Sequence, residues 1–399
     1  MTGSPPTLPR VFLQQGQERR IALGHPWAYS NEIRMDAAAK ALPPGSLASL
    51  HRIDGKPLGV GTFNPHALIA FRLFAADPGS VIDEGFFVRR LRRAAALRQR
   101  LFAEPFWRLA HADADGLPGL VCDRFDDVLV MQMNTAGAEA LAPIILAAAG
   151  EVLHPRAIVL RNDTSARALE GIDRTVQVES GTVDGPVALR EGGLTFFADI
   201  VGGQKTGWFY DQRDSRTFVA RLARDATVLD TYCYGGGFAI AAAAAGAAAV
   251  VGIDSSEPAL ALARRAAEAN GVANRCTFRR AEVFTELERL GRAGERYRIV
   301  VADPPAFVKS KKELGSGLRG YRKLARLAAA LVEPDGFLFI ASCSHNVEAA
   351  ALLTEAVRGA VAAGRSGRII REGKAAADHP VHTHLPETAY LKSVVLQLD

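Results

Sequence analysis

The sequence predicts an α/β fold: a mostly parallel sheet wrapped by helices fills the C-terminal half, and a smaller β-rich region precedes it. From Thr227 onward, short apolar runs rich in Val, Ile and Leu alternate with amphipathic helical segments. This alternation is typical of buried parallel strands connected by helices. Before residue 80, β-type runs are instead separated by turn signals such as Asp54-Gly55, which predicts a hairpin. The region between the two alternates helical and strand signals and predicts a small α+β module.

Length and composition describe an ordinary folded chain. At 399 residues it is too long for one typical core, so two or three domains are expected. Its four cysteines are scattered without a CxxC pair, so no metal site is expected and a reduced, cytoplasmic setting fits best. The first ten residues lack the apolar stretch of a leader. The longest apolar run, residues 238–253, is shorter than a membrane-spanning helix and predicts a helix, a turn and a strand, so no membrane partner is expected.

Basic charge is concentrated in one segment. The net charge of +5 is too small to establish an anionic partner. Residues 86–100, however, have a helical pattern with no acidic residue and six arginines: Arg89, Arg90, Arg92, Arg93, Arg98 and Arg100. One face of such a helix can contact phosphates through guanidinium hydrogen bonds. The alternative is an ordinary solvated helix face.

The C-terminal half places its polar motifs where predicted strands end. The strands are predicted, in chain order, at TVLDTYCYGG, AAVVGIDSS, YRIVVADPP, FLFIASCSH and LKSVVLQLD. Helices are predicted at the alanine-rich run after the first strand, at EPALALARRAAEANGV and at RGYRKLARLAAALV. In sheets of this class, ligands bind beyond the carboxyl ends of the strands.

Acidic residues at these strand ends predict a nucleotide-like ligand. Asp230 ends the first strand, and Gly235 to Gly237 open the following helix, where a ligand can approach the backbone. Asp254, about 20 residues beyond the glycines, is placed to accept hydrogen bonds from ribose hydroxyls. Glu282 follows another short β-type run and is a candidate for the adenine edge. Asp303 precedes two prolines that predict a rigid loop above the strand.

With these motifs the chain resembles the ribosomal RNA large subunit methyltransferase I family, bacterial enzymes that form 5-methylcytosine in 23S rRNA. The resemblance covers nearly the whole chain. It rests on GHPWAYSNEI, GLPGLVCDRF, GGQKTGWFYDQRDSR, DTYCYGGGF, DPPAFVKSKKEL with GLRGYRKL, SCSH and DHPVHTHLPETAYLK. It implies a PUA RNA-binding domain over residues 1–82, a central α+β domain over 83–192 and a Rossmann-like class I methyltransferase domain with a seven-stranded sheet over 193–399.

The resemblance also assigns residues to the cofactor S-adenosylmethionine. It implies that Asp230, Tyr232 and Gly236 shape the methionine pocket, that Asp254 contacts the ribose and that Glu282 contacts the adenine. Gln212 and Arg213 are the candidates for closing over the cofactor. Asp303 is expected to serve both the cofactor site and the reaction.

Cys343 is the candidate nucleophile. Carbon 5 of cytosine is a poor nucleophile until a thiolate adds to carbon 6, after which a base removes the carbon 5 proton and the thiol leaves. Cys343 follows a predicted strand, whereas Cys233 is a rival whose neighbours bind the cofactor. Asp303 is placed to hydrogen-bond the cytosine amino group and ring nitrogen. Two further candidates each have two interpretations. The lysines of FVKSKKEL, which are Lys309, Lys311 and Lys312, steer RNA phosphates or only solvate a mobile loop. His345 assists proton handling or is an ordinary polar residue after the strand.

Other functions remain open from the residues alone. An enzyme that methylates an exocyclic amine, such as guanine N2, would use the same cofactor pocket without Cys343. Asp230, Asp254 and Asp303 argue against a non-catalytic RNA-binding protein. A nicotinamide oxidoreductase is the remaining alternative, but the Asp-Pro-Pro loop would have no function in such an enzyme. The expected partner is RNA, with 23S rRNA implied by the resemblance. Both a monomer and a homodimer are compatible with the sequence.

Overall fold

The computed structural model of the chain describes residues 8–204 and 206–399. The first seven residues, on which the expected absence of a leader partly rests, and Lys205 of the GGQKTGW stretch lie outside the described residues. The chain divides into two compact units. The first comprises Met1–Gly185, Ile200–Trp208 and Asp378–Thr388, and the second comprises Pro186–Asp199, Phe209–Ala377 and Ala389–Asp399.

The first unit begins with a five-stranded sheet. Its strands and short helices are β1 (Arg10–Phe12), α1 (Arg19–Ala22), β2 (Trp27–Tyr29), α2 (Ala37–Lys40), β3 (Ser46–His51), β4 (Pro57–Phe63) and β5 (Ile69–Ala75). The strand order is β1-β3-β4-β5-β2. Strands β3 and β4 pair antiparallel across the Asp54-Gly55 turn, in which Gly55 has φ +88°, so the predicted hairpin is confirmed. Val11, Leu50, Phe63 and Phe71 are central to the core of this sheet.

A second five-stranded sheet completes the first unit. Its elements are α3 (Glu84–Leu101), β6 (Phe106–His111), β7 (Leu120–Phe125), β8 (Val128–Met133), α4 (Ala136–Ala140), α5 (Ala142–Leu153), β9 (Ala157–Asn162), α6 (Ala166–Glu170) and β10 (Thr175–Ser180). The strand order is β10-β9-β8-β7-β6. Strands β7 and β8 form a hairpin at Asp126-Asp127, with Asp126 in the left-handed region at φ +57°. The alternating helix and strand signals of this region therefore correspond to an α+β layer.

Helix α3 corrects part of the expected arginine face. A period of 3.6 residues places Arg98 on the same face as the buried Phe87 and Leu91. Arg98 is fully buried and its guanidinium pairs with Asp115 at 2.6 Å. Arg90 is partly buried and donates to the Phe74 carbonyl at 3.1 Å. Arg90 and Arg98 therefore do not belong to an exposed basic face, and the exposed arginines of the helix are Arg89, Arg92, Arg93 and Arg100.

The second unit is built on a seven-stranded sheet. A hairpin, β11 (Val187–Glu191) and β12 (Leu194–Ala198), and helix α7 (Arg213–Arg221) precede it. The sheet and its helices are β13 (Thr227–Thr231), α8 (Gly237–Ala244), β14 (Ala249–Asp254), α9 (Glu257–Ala269), β15 (Cys276–Arg280), α10 (Val283–Arg292), β16 (Tyr297–Ala302), α11 (Leu314–Ala329), β17 (Val332–Ser342), α12 (Ala349–Ala362), β18 (Gly367–Lys374) and β19 (Lys392–Leu398).

The order of this sheet confirms the predicted mostly parallel arrangement. Its strands follow β15-β14-β13-β16-β17-β19-β18. The first five are parallel to one another, while β19 runs antiparallel to both of its neighbours. The carboxyl ends of β13, β14, β15, β16 and β17 therefore share one edge. The residues that follow these strands form the candidate site.

Two elements of this unit differ from the sequence expectation. The sequence does not predict strand β18, which lies at the edge of the sheet. Its register shifts between Ile369 and Arg371, and both Ile369 and Ile370 are exposed, so its apolar residues do not show the pattern of a buried strand. Helix α11 begins at Leu314, before the expected start at Arg319. Among the described residues, no helix has the length and apolar character needed to cross a membrane, and the apolar run 238–253 is divided between α8 and β14.

Candidate active site at the carboxyl edge of the sheet

Asp230 lies at the carboxyl end of β13. Its Oδ2 accepts a hydrogen bond from the Ala239 N–H at 2.9 Å. Its Oδ1 is buried and has no hydrogen-bond partner among the residues that the structure describes. Burial raises the pKa of this carboxyl well above its usual range; the Ala239 N–H opposes that rise, and the charges of Asp303 and Asp254 add to it. A buried acceptor left open in this way fits a donor group of a ligand.

The turn after β13 has a strained backbone. Tyr232, Tyr234 and Gly236 all lie in the left-handed region, at φ +61°, +48° and +81°. For bulky residues this conformation costs about 1–3 kcal/mol and clusters at functional sites. The Tyr234 N–H donates to Asp254 Oδ2 at 2.9 Å, which ties the turn to the next strand. A Cβ at Gly236 would lie 3.0 Å from the Ala263 Cβ, so the glycine also permits close packing of α8 on α9.

The next two acidic candidates are fixed by backbone hydrogen bonds. Asp254 Oδ1 accepts from the Ser256 N–H at 2.9 Å. Glu282 is the N-cap of α10 and accepts from the N–H groups of Phe284 and Thr285 at 3.1 and 2.8 Å. Burial raises the pKa of Glu282, but the hydrogen bonds from Thr285 and Phe284 outweigh it and hold the pKa below its usual value. Both side chains are therefore oriented carboxylates with lone pairs left for further donors.

Gln212 is a second buried group with open hydrogen-bonding capacity. It ends a short 3₁₀ turn, Tyr210–Gln212, immediately before α7. Only 2% of its surface is exposed, and neither its amide nitrogen nor its amide oxygen has a partner among the described residues. Arg213 follows and lies against the Tyr210 ring, with 5.4 Å between its Cζ and the ring centroid. An unpartnered buried amide costs stability, so it is expected to bind a ligand.

A buried ion pair that sequence reasoning missed supports this segment. The Arg216 guanidinium binds both carboxylate oxygens of Glu191, at 2.6 and 2.8 Å, and donates to the Phe209 carbonyl at 2.9 Å. Arg213 Nε lies 3.9 Å from the same carboxylate. Glu191 belongs to the β11–β12 hairpin, and no local sequence pattern connects it with α7. Its role could be found only from the tertiary structure.

Asp303 follows β16 in a loop that packs tightly on α11. Beyond its two prolines, the Phe307 ring lies 4.7 Å from the Tyr321 ring and 6.1 Å from the Phe284 ring. A Cβ at Gly317 would lie 2.8 Å from the Phe307 carbonyl oxygen. The glycines in the first turns of α11 have weak helix propensity, but they allow the Asp303 loop to approach closely. The packing that results compensates for the weak propensity, so α11 begins earlier than expected.

A buried polar bridge connects the Asp303 loop with the loop after β17. The Tyr321 hydroxyl accepts from Ser342 Oγ at 2.8 Å and from the Phe307 N–H at 3.5 Å. It also shares a hydrogen bond of 3.2 Å with Ser344 Oγ, which accepts from the Val308 N–H at 3.3 Å. Tyr321 therefore holds the two loops in register. Sequence reasoning did not single it out, because its position in α11 shows only helical periodicity.

The four cysteines have different environments. Cys343 follows β17 and is partly exposed. Cys233 is buried in the turn after β13, and burial raises the pKa of its thiol well above the usual range, with Asp230 adding to the rise. Cys276 opens β15 at the opposite end of the strand, where burial raises its pKa to about 11. Cys122 is buried within β7 of the first unit. Only Cys343 combines a carboxyl-edge position with access.

The remaining polar candidates lie on the surface of the same edge. Lys309, Lys311 and Lys312 are exposed. The segment is not a plain loop, because Lys311–Glu313 forms a 3₁₀ turn closed by a capping box between Ser310 and Glu313. His345 is exposed, with its ring centroid 5.4 Å from that of Tyr390.

Electrostatic contacts show which candidates the fold brings together. The charges of Asp303 and Asp254 act on Asp230 and add to the rise of its pKa that burial causes. Burial, and after it the charges of Glu282 and Asp254, raise the pKa of Tyr232. Burial lowers the pKa of Arg216, but the charges of Glu191, Asp211 and Asp303 outweigh it and raise that pKa. Cys343 is close enough to Tyr321 to raise its pKa, after the larger effect of burial. All the predicted site residues belong to the second unit.

Comparisons with known proteins agree with this architecture. Residues 165–375 match the family model described as S-adenosylmethionine-dependent methyltransferase, and residues 11–76 match a PUA-like domain. The chain is 36% identical over 390 residues to Ribosomal RNA large subunit methyltransferase I of Cronobacter sakazakii, covering 96% of this chain and 98% of the relative. The protein of the same name from Aeromonas hydrophila is 35% identical over 393 residues, covering 97% and 98%.

Solved structures share the whole fold at low identity. A SAM-dependent methyltransferase structure from Streptococcus mutans has a TM-score of 0.82 at 18% identity, covering 98% of this chain and all of that one. SMU.776, a methyltransferase structure with bound SAH, has a TM-score of 0.83, also at 18% identity, with the same coverage. At this identity the likeness concerns the fold alone.

Proposed function

Because the chain belongs to the ribosomal RNA large subunit methyltransferase I family of S-adenosylmethionine-dependent methyltransferases, we propose that it methylates carbon 5 of a cytosine in 23S rRNA through a covalent adduct with Cys343. The observation that carries the covalent step is the environment of Cys343. It is the cysteine that combines partial exposure with the carboxyl edge of the sheet, and Tyr321 fixes its loop against the loop of Asp303.

The open polar groups of the site fit the cofactor. When bound, S-adenosylmethionine supplies an electrophilic methyl group. Asp230 Oδ1, a buried acceptor, suits its ammonium group, and Asp254 retains acceptor capacity for ribose hydroxyls. Glu282, exposed and ionised by its hydrogen bonds, suits the adenine edge. The buried amide of Gln212, with Arg213 beside it, suits closure over the cofactor. Tyr232 and Gly236 shape the turn between these groups.

The proposed chemistry begins at the Cys343 sulfur. The S–H bond breaks and its proton passes to solvent. The thiolate then adds to carbon 6 of cytosine, which makes carbon 5 nucleophilic. The Asp303 carboxyl accepts from the amino group and, in its protonated form, donates to the ring nitrogen, where negative charge develops. In the methylation step carbon 5 would form a bond to the methyl group as that group's bond to the cofactor sulfur breaks, with S-adenosylhomocysteine as the leaving group. A base then removes the carbon 5 proton, the ring double bond returns and the thiolate leaves. The exposed His345 is the nearest titratable side chain in sequence for proton handling.

RNA affinity is assigned to the first unit. We propose the domain division 1–82, 83–192 and 193–399, with the PUA-like domain and α3 supplying RNA contacts. The exposed Arg89, Arg92 and Arg93 suit phosphates, whereas the buried Arg98 serves the fold. The exposed lysines beside Asp303 suit phosphates close to the target base.

Product analysis tests the proposal. The purified protein is incubated with S-adenosylmethionine and 23S rRNA from a strain that lacks the corresponding gene, and the methylated nucleoside is identified by mass spectrometry. We expect 5-methylcytosine at one position with the wild-type protein and none with Cys343→Ala. Cys276→Ala is the matched control and should retain activity. N2-methylguanine formed by both proteins would instead establish the exocyclic-amine reaction.

A further inference from the structure

Lys392 is a buried lysine that the proposed reaction does not yet use. It opens β19 and pairs in register with Ser342, the last residue of β17, next to Cys343. Only 7% of its surface is exposed. Its Nζ donates to the carbonyl oxygens of Ser344 and Val347, both at 2.6 Å. One amine therefore binds two carbonyls of the loop that begins with Cys343.

The charge of Lys392 is not neutralised by a carboxylate. Among the described residues it forms no ion pair, which is unusual for a lysine at this depth. Burial lowers its pKa to about 8, and the charge of Cys343 acts in the opposite direction. At neutral pH the amine is therefore still mostly an ammonium group. The charge that favours this ammonium form is that of the Cys343 thiolate.

Other titratable groups lie on the elements near Lys392 and Cys343. They come from the elements packed on β17 and β19 and from the neighbouring loops: Tyr321 on α11, Glu355 on α12, Lys374 on β18, Asp303 after β16, and His345 and Tyr390 in the adjoining segments. Glu355 is already bound by Arg322 at 2.5 Å and by Arg358 at 3.1 Å. Lys374 is exposed, although it lies opposite Lys392 in register. Among these groups the buried cation is Lys392.

We propose that Lys392 is the positioning residue for Cys343: its ammonium group holds the 343–347 loop by two backbone hydrogen bonds and stabilises the Cys343 thiolate. The inference rests on the proposed function, in which that thiolate attacks carbon 6. When the thiol ionises, its proton passes to solvent and the electron pair stays on sulfur beside the positive charge. A nearby cation lowers the pKa of a thiol, which raises the thiolate fraction at neutral pH.

The pH dependence of Cys343 alkylation tests this pairing without methylation. The intact wild-type, Lys392→Met, Lys392→Arg and Lys374→Met proteins are treated with iodoacetamide between pH 6 and 10, and modification is mapped to Cys343 by mass spectrometry. In Lys392→Met we expect the rate at pH 7 to fall about tenfold and the midpoint to rise by about one pH unit. Lys392→Arg keeps the charge and should stay near the wild-type profile. Lys374→Met should change the rate less than about twofold, because exposed charges are screened.

An unchanged alkylation profile in folded Lys392→Met would overturn the proposal, as would an equal shift in Lys374→Met. If Lys392→Met does not fold, a reciprocal measurement decides. The pH midpoint for acetylation of Lys392 should be lower in Cys343→Ala than in the wild type, and equal midpoints would also overturn the pairing. Failure of the proposed function is a separate result, because Cys343→Ala would then retain methylation whatever the alkylation profile shows.

Discussion

The turns after β13 and β17 each place a cysteine at the same edge of the same sheet. In the first, Cys233 is buried, and burial together with Asp230 raises its pKa well above the usual range. In the second, Cys343 is partly exposed, and the buried Lys392 holds its loop. Position at a strand end therefore does not by itself make a cysteine reactive. The surrounding charge and access to solvent do, because the reactive species is the thiolate.

The largest expected effect is on catalysis. Cys343→Ala should lower the rate of rRNA methylation at least about a thousandfold, as is typical when a residue that forms the covalent bond is removed. Cys233→Ala, the matched control from the other turn, should keep the rate within about fivefold, since it removes one sulfur from a packed site. Single-turnover kinetics at saturating cofactor measure both. Equal losses in the two variants would end the distinction between the turns.

The second effect concerns thiol reactivity in the unmodified protein. At pH 7.5, Cys233 should react with iodoacetamide about a hundredfold more slowly than Cys343, because its raised pKa keeps it protonated and its burial blocks access. As the pH rises, Cys343 should reach its plateau first. Peptide mapping after timed quenching gives both rates from one sample. Faster labelling of Cys233 would reverse the comparison.

The third effect concerns the cofactor side of the edge. Asp254→Ala should weaken S-adenosylmethionine binding by about 1.5–3 kcal/mol, because ribose hydroxyls lose a charged acceptor. Glu257→Ala is the control, since this exposed residue opens α9 and pairs with Arg264 at the surface. Calorimetry compares the two. Unchanged affinity in a folded Asp254→Ala protein would remove Asp254 from the site.

The smallest effect concerns the arginines of α3, some of which are exposed while Arg98 is buried. Replacing Arg89, Arg92 and Arg93 by Gln should weaken RNA binding and reduce its salt slope by about 2, because each phosphate contact releases counterions. Arg98→Met should instead destabilise the fold by about 3 kcal/mol, because it leaves the buried Asp115 without its partner. Filter binding at several salt concentrations and thermal unfolding separate the two outcomes. An unaltered salt slope would assign the three exposed arginines to an ordinary solvated face.

Local sequence signals were sufficient for the parallel strands of the sheet and for the residues that follow them. The apolar runs that end at Asp230, Asp254 and Asp303 are long enough to define buried parallel strands, and parallel strands bring their carboxyl ends to one edge. The same reasoning placed Cys343 there. The β18 edge strand escaped it, because a shift in register interrupts the alternation of its side chains.

Residues that act through partners distant in sequence could not be predicted in this way. Tyr321 binds two loops through one hydroxyl, yet its helix shows only amphipathic periodicity. Lys392 contacts a loop that lies 45 to 48 residues earlier in the chain. Arg98 looked like part of a basic face until its partner Asp115 was known. Such contacts are set by tertiary packing rather than by local pattern.

The most direct test of the account is a covalent trap. RNA carrying 5-fluorocytosine at the target position is incubated with the protein and S-adenosylmethionine, and the adduct is digested and mapped by mass spectrometry. Because fluorine cannot leave carbon 5 as a proton does, the thiol cannot be released and the adduct should persist. We expect a stable adduct on Cys343 that is absent from Cys343→Ala and present in Cys233→Ala. An adduct on Cys233, or full methylation activity in Cys343→Ala, would contradict it.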